Sequence, residues 1–450
     1  MTRLRILHLG LGAFHRAHQA VYLQDLISAG DDRWELAGGH IRPEFTDMGA
    51  VLLAQDCRYT VETVTPDGSR AYQRIEALRR PVPYAFDLAE LRALAADPAT
   101  RIISFTVTEA GYDLEQATTD KRAGHRIYGA LTELLRARQH SGAGPVTLLN
   151  CDNLRHNGDV VRTGLFKTLQ SAGEAGLLEW VQHNTTCPNA MVDRITPRVP
   201  PGLAERVRAA TGQEDYAPVM AEDFRQWVIE DRFCAGRPDW AQVGVQMVES
   251  VLPYEEAKIR LLNATHSCIA WAGTLRGYRF IHEGARDAAI RRIAHDYVTD
   301  DAIPCLLPSP VDLTAYRDSV LDRFGNAALS DTCQRVVADG FSKLPGFIAP
   351  TIEARLKQGA SIASVAMLPA LFLAFLQRWH AGVLAEPYMD QSMDPAKVAA
   401  ICTAADSVAA FCADQQLWGS SAGNQFLIDA VRLASVRVRD FMLAHRAPAV

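Results

Sequence analysis

Apolar residues come in two textures along this chain. In the first part they form short runs, at residues 5–10 (RILHLG), 34–41 (WELAGGHI), 101–107 (RIISFTV) and 145–150 (PVTLLN). Runs of that length bounded by Gly, Pro or polar residues read as buried strands. After the first run, residues 14–28 (FHRAHQAVYLQDLIS) set Ala20, Leu23 and Ile27 on one helical stripe. Strands separated by helices predict βαβ units and a mainly parallel sheet. Beyond about residue 250 the texture changes. Residues 254–275, 285–298, 363–381 and 424–445 are long amphipathic stretches, and strand-like runs become rare. The expectation is an α/β domain over residues 1–247, then a mostly α-helical domain over 248–450. No internal repeat or low-complexity segment interrupts this plan.

Length agrees with that division, because 450 residues exceed what one ordinary core holds. With 48% hydrophobic and 22% charged residues the profile is that of a globular enzyme. A formal charge of -6 offers nothing to nucleic acid or an anionic membrane, both of which call for basic patches. No apolar run approaches the roughly 18–20 residues of a membrane span. Met1-Thr2-Arg3-Leu4-Arg5 leads straight into the first apolar run without a secretory cleavage pattern, so cytoplasm is the default expectation. Nine cysteines are scattered singly, with no Cys-x-x-Cys pair, which speaks against a disulfide framework and against structural zinc. No His-Glu-x-x-His or comparable cluster appears among the thirteen histidines, so no metal is expected.

Candidate chemistry begins at Gly10-Leu11-Gly12-Ala13-Phe14-His15, where the first strand turns into a helix. Two glycines there allow a tight turn, and the helix N-terminus meets a pyrophosphate. Together with the βαβ context this makes the first domain Rossmann-type and points to a dinucleotide. His15 stands where a third glycine is usual. The second strand ends His40-Ile41-Arg42-Pro43, without the acid that would bind ribose hydroxyls. Glu44 is the nearest candidate for that role. Arg42 would suit a 2′-phosphate, or is simply a solvated arginine, so NAD and NADP both remain open.

The richest stretch for chemistry is 254–273, YEEAKIRLLNATHSCIAWAG. At about 100° per residue, Glu255, His266 and Asn263 fall roughly 60°, 80° and 140° from Lys258, on one arc of a largely apolar helix. A shielded amine beside amide and imidazole groups suits proton abstraction next to a developing oxyanion. The plain alternative is a lysine that snorkels to water and a core histidine. Tyr254-x-x-x-Lys258 also matches the pair of short-chain dehydrogenases. That pair lies too late in too long a chain, and the Thr-Gly-x-x-x-Gly-x-Gly turn of those enzymes is missing.

Several motifs resemble the polyol-specific long-chain dehydrogenases, the mannitol dehydrogenase family. They are Gly10-x-Gly12-x-Phe14-His15-Arg16-Ala17-His18-Gln19, Gln55-Asp56 and Thr106-Val107-Thr108-Glu109-x-Gly111-Tyr112. Asn150-Cys151-Asp152-Asn153-x-x-His156-Asn157-Gly158, Met191-Val192-Asp193-Arg194-Ile195-Thr196-Pro197, and Lys258 with Asn263 and His266 complete the set. The resemblance implies oxidation of a secondary alcohol of a polyol to a ketose, with NAD as the usual cofactor and no metal. It implies Lys258 as general base, Asn153 and Asn263 as an oxyanion hole, His266 as the orienting group and Glu255 as a proton gate. Asp193, Arg335 and Lys343 would hold the other hydroxyls, or be ordinary ion pairs. Gly10, Gly12, Ala13, Phe14, Glu44, Thr108 and Glu109 would face the cofactor. Because Asn153 and Lys258 fall in different domains, the reaction is expected at the seam between them. A catalytically inactive NAD sensor is the alternative of another class, and a buried base would be useless to it.

Overall fold

A computed structural model describes residues 3–43, 48–107, 109–112 and 126–444, with backbone only at 109 and 110. The chain divides into two compact units, Met1–Thr65 with Ser69–Leu252, and Pro253–Val450 with the short tip Pro66–Gly68.

The first unit is α/β. Its strands in chain order are β1 (Leu4–Leu9), β2 (Trp34–Gly39), β3 (Tyr59–Val64), β4 (Arg70–Ile75), β5 (Leu78–Val82), β6 (Thr100–Phe105), β7 (Val146–Asn150), β8 (Thr185–Thr186), β9 (Ala190–Asp193), β10 (Val219–Glu222), β11 (Gln226–Glu230) and β12 (Gln246–Val248). Six form one sheet in the order β5-β2-β1-β6-β7-β8, every neighbouring pair parallel. The register sets Leu7 beside Ala37 on one side and Ile103 on the other.

Successive side chains of a strand point to opposite faces, and here both faces are buried. Ile6, Ile102 and Leu149 join a core with Ala20, Leu23 and Trp227. Leu7, Ile103 and Leu148 join a second core with Leu131, Leu134 and Leu165. That is why these strands read as continuous apolar runs rather than as alternation. β1 sits centrally, with β2 on one side and β6 on the other, so the strand order reverses there. In open α/β sheets the crevice outside that point is where ligands bind.

Two features of the first unit depart from the sequence expectation. Residues 14–28 are not one helix but two, Ala13–Ala17 and Gln19–Ser28, broken at His18 (φ -125°, ψ -80°). The His18 ring is drawn into a buried aromatic group, 5.1 Å from Phe14 and 5.8 Å from Trp227 between ring centroids, and its Nε2 lies 2.9 Å from the Gln226 carbonyl. Two three-stranded sheets, β10-β3-β4 and β12-β11-β9, also accompany the main one. Apart from the local hairpin β3–β4, their strands of three to six residues pair across longer stretches of chain, and no local periodicity announces them.

The second unit is helical, and its described residues hold no strand, only an isolated bridge between Phe280 and Thr332. At its centre runs Ala264–Arg276, where Cys268, Ile269, Ala270, Trp271 and Ala272 are wholly buried. Small residues let neighbours come close: a Cβ built on Gly273 would stand 3.1 Å from Cys333 Sγ. Around it pack Cys333–Val337, Met367–His380 and the helix Ile281–Arg286. The amphipathic stretch expected at 285–298 is divided into Ala288–Asp296 and a π-helical Tyr297–Ala302. No described helix is long and apolar enough to cross a membrane.

Candidate active site

The chain leaves β1 through Gly10, whose φ of +105° suits glycine. A Cβ there would also collide with the Thr106 carbonyl oxygen at the end of β6. Gly12 faces open space and precedes the helix Ala13–Ala17, so a pyrophosphate could approach its backbone. Beneath the turn, His8 acts as a strut between the two strand ends. Its Nδ1 lies 2.8 Å from Ser104 Oγ, and its Nε2 3.1 Å from both the Gly10 carbonyl and Thr106 Oγ1. His15, in place of the third glycine, stacks on the His8 ring at 3.4 Å. Burial pushes the His15 pKa down to about 3 and that of His8 well below its ordinary value, so both rings are neutral near pH 7. Ala13 and Phe14 are half-buried in the first turn of the helix. Glu44 and Thr108 lie outside the described residues, and Glu109 starts the short helical turn Glu109–Tyr112.

At the end of β7 a polar network sets the loop that carries Asn153. Asp152 accepts the Val107 N–H at 2.9 and 3.0 Å and the Tyr112 hydroxyl, tying this loop to the end of β6. Asn157 Nδ2 donates to the carbonyls of Asp152 at 3.0 Å and Ala190 at 2.7 Å, while its Oδ1 accepts the Ala190 N–H at 2.9 Å. Asn153 is exposed within that braced loop. β9 continues from Ala190 to the buried Asp193. Next to it, Arg194 donates to the Glu222 carbonyl at 2.9 Å and the Ala17 carbonyl at 2.5 Å, so this motif is fastened to the cofactor-side helix.

One helical course runs Leu252–Ala257, Lys258–Asn263, Ala264–Arg276, all but its first residue in the second unit, and its middle part is π-helical. Lys258 and Glu255 are each only 7% exposed. The sequence expectation of a uniform 100° per residue fails across this segment, because its turns are wider. The cause is visible. Ala264 N–H donates to the Ile259 carbonyl five residues back, and the Arg260 carbonyl instead accepts the Tyr297 hydroxyl at 2.8 Å. Lys258 and Asn263 begin and end the π segment, so their relative direction is set by it.

His266 follows, half-buried, its ring stacked on Phe324 at 4.4 Å. Its Nε2 stands 3.2 Å from Asp331 Oδ2, and Arg335 grips the same carboxylate with two bonds of 2.6 Å. Lys343 Nζ donates to the Val336 carbonyl at 2.6 Å. Burial lowers the His266 pKa against the opposing pull of Asp331. Burial also works against the Asp331 carboxylate, but His266 and Arg335 outweigh it and hold the carboxyl well below its usual range. Burial brings Lys343 down to about 8, with Asp339 opposing.

The structure thus gathers His266 and Arg335 about Asp331, with Lys343 anchored one helix turn away at Val336 and Lys258, Glu255 and Asn263 on the helical course that bears His266. Asn153, Asp193 and the glycine turn belong to the first unit. Sequence reasoning passed over Asp331, although it stands four residues before Arg335, and gave no role to Asp152, Tyr112 or His8. Among the described residues no three His, Cys, Asp or Glu side chains converge as a metal-binding group.

Comparison with known proteins gives two family matches, the mannitol dehydrogenase Rossmann domain over residues 4–242 and the mannitol dehydrogenase C-terminal domain over 250–438. The chain is 54% identical to a D-arabinitol 4-dehydrogenase of Ralstonia nicotianae, over 98% of each chain. It is 48% identical to a D-arabinitol 4-dehydrogenase of Klebsiella pneumoniae, over 95% of this chain and 96% of that one. Its structure is similar to Pseudomonas fluorescens mannitol 2-dehydrogenase in ternary complex with NAD and D-mannitol, with a TM-score of 0.82 and 31% identity over 99% of this chain and 94% of that one.

Proposed function

The chain belongs to the mannitol dehydrogenase family, and on that premise we propose that it oxidises D-arabinitol at C4 to D-xylulose with NAD⁺, without a metal. The observation that carries the chemistry is the buried Lys258 on a π-helical turn, beside Glu255 and ahead of His266. The choice of arabinitol over mannitol rests on the two relatives at 54% and 48% identity.

Gly10 and Gly12 fit a dinucleotide, since one cannot carry a Cβ and the other leaves open space at a helix start. NAD⁺ held at that turn would supply the acceptor for the hydride that leaves the carbinol carbon with its bonding electron pair. Lys258 Nζ, buried at 7% exposure, takes the hydroxyl proton as general base. Asn263 donates an N–H group to the oxygen as it becomes alkoxide-like, where oxyanion stabilisation is worth most, and the family resemblance implies the same role for Asn153. His266, held by Asp331 and neutral near pH 7, orients the same oxygen. Glu255, one turn before Lys258, passes the proton to water. The products are the ketose, NADH and one proton, which balances the step. Arg335, Lys343 and Asp193 hold the remaining hydroxyls.

The deciding experiment follows NAD⁺ and NADP⁺ reduction with arabinitol, mannitol, sorbitol and xylitol. The expected order puts D-arabinitol with NAD⁺ first in kcat/KM. A large preference for mannitol would replace the substrate, and a preference for NADP⁺ would give Arg42 the 2′-phosphate. Lys258→Ala should cost about 10²–10⁴ in kcat, the range of a general base, with NADH affinity unchanged. Exhaustive chelation should leave turnover intact; loss restored by zinc would refute the metal-free mechanism.

A further inference from the structure

The second unit holds a concavity of about 720 Å³ that none of the chemistry above uses. It opens at the C-terminal end of Ala264–Arg276 and is closed by Met367–His380, residues 383–388 and the last turn of Gln425–Ala444. Its walls are apolar, with Leu275, Val337, Phe375, Leu384 and Met442 facing in. Arg279, Arg378 and Arg439 also line it.

Among the described residues the guanidinium groups of Arg378 and Arg439 have no hydrogen-bond or ion-pair partner, and that of Arg279 meets only the Phe280 ring at 5.3 Å. Glu386 is the one carboxylate in the lining. Arg276 is already committed to Asp287 at 2.6 Å, yet its Nε is buried without a hydrogen-bond partner. Three uncommitted cations, Arg279 and Arg439 exposed and Arg378 half-buried, thus line one concavity against one acid in a chain of net charge -6. Nor does fold stability call for it, since a cation without a partner adds no ion pair to the fold.

We propose that this concavity binds a small amphipathic anion, a carboxylate or phosphate head on an apolar body. Its volume lies within the roughly 300–1,000 Å³ of small-molecule sites, which are mostly apolar with a few placed polar groups. Guanidinium forks match carboxylate and phosphate oxygens in a bidentate manner, and the apolar walls accept the chain or ring behind the head group. Hollow shape and charge together favour such a ligand over a flat protein partner, which would need about 1,000 Å² or more of contact. Lys258, His266, Asp331 and Arg335 are not among its lining residues, although Thr332, Cys333 and Gln334 between the last two are.

Isothermal titration calorimetry of the full-length enzyme with octanoate and with octyl phosphate tests it, with octanol and inorganic phosphate as controls. Whichever of the two anions binds more tightly names the head group. One-to-one binding is expected, with both controls weaker by about tenfold or more, the value of a charge-assisted contact or of the apolar body. Saturating NAD⁺ and polyol should leave it unchanged. Arg378→Glu and Arg439→Glu, and the milder Arg378→Gln and Arg439→Gln should either fold poorly, should each weaken it by about tenfold or more with kcat unchanged. Equal affinity in correctly folded variants, displacement by NAD⁺ or polyol, or no binding of either anion would each overturn the proposal.

Discussion

Asp331 shows what a single residue does in this site. Its carboxylate is gripped by Arg335 at 2.6 Å through two bonds and stands 3.2 Å from the His266 ring, so one acid fixes the direction of two groups proposed to hold the polyol. A histidine whose one nitrogen faces a carboxylate has its tautomer set, and its other nitrogen is then aimed. Asp331→Asn keeps the shape but removes the charge that pairs with Arg335. The expected outcome is a KM for polyol raised about tenfold, a smaller fall in kcat, and an unchanged Kd for NADH, the scale of one charged hydrogen bond. Steady-state kinetics with fluorescence titration of NADH separate these quantities, and an NADH affinity that falls equally would show a merely structural residue. Lys258 and His266 were singled out by residue type, spacing and resemblance, and Arg335 by resemblance alone. Asp331 was not, because its meaning comes from folding that brings it to a histidine 65 positions earlier.

At the scale of elements, the apolar runs and the stripe of Ala20 and Leu23 foretold the parallel sheet and its covering helices, since a strand buried on both faces must be apolar throughout. What they could not foretell is any element defined by a distant partner. The π-helical turn Lys258–Asn263 is such a case. Local sequence there favours an ordinary helix, and the wide turn persists because Tyr297, 37 residues on, takes the Arg260 carbonyl that Ala264 N–H would otherwise use. Such turns store a less favourable ladder and gather at functional sites. Tyr297→Phe leaves the Arg260 carbonyl free to rejoin the helical ladder, turning Lys258 relative to Asn263 and His266. Activity should fall about tenfold or more while the fold loses only about 1 kcal/mol, the net worth of one hydrogen bond. Comparing kcat with the denaturant midpoint checks this. A loss of activity no larger than the loss of stability explains would remove the hydroxyl's positioning role.

Across the whole molecule the division into an α/β half and a helical half was visible as a change of texture, and the charge of -6 kept nucleic acid out of consideration. The buried histidines are a different matter, because composition counts them without telling that they sit in the core. His15 and His18 are pushed down to about 3 and His40 to about 4, in each case chiefly by burial, and His8 falls well below its ordinary value. All four are released to ordinary behaviour, near pH 6.5, when the chain unfolds. Between pH 6.5 and 4 the unfolded chain therefore binds more protons than the folded one, and stability falls as pH falls, by roughly 1.4 kcal/mol per pH unit for each of His15, His18 and His40, with His8 acting in the same direction. Lys343 acts at the other end: lowered to about 8 from 10.5, it makes the fold more stable as pH rises between those values. The protein should thus hold its stability from pH 7 to 8 and lose it steeply below 6.5, at a pH where Asp331, held below its usual range, is still ionised. His15→Phe keeps a flat ring stacked on His8 and removes one titrating group, so it should lessen the slope by roughly 1.4 kcal/mol per pH unit and raise stability at pH 5 relative to the parent. Denaturant unfolding of parent and variant at pH 7.5, 6 and 5 measures this directly, and two parallel profiles would show that His15 is not among the groups that make the fold acid-sensitive.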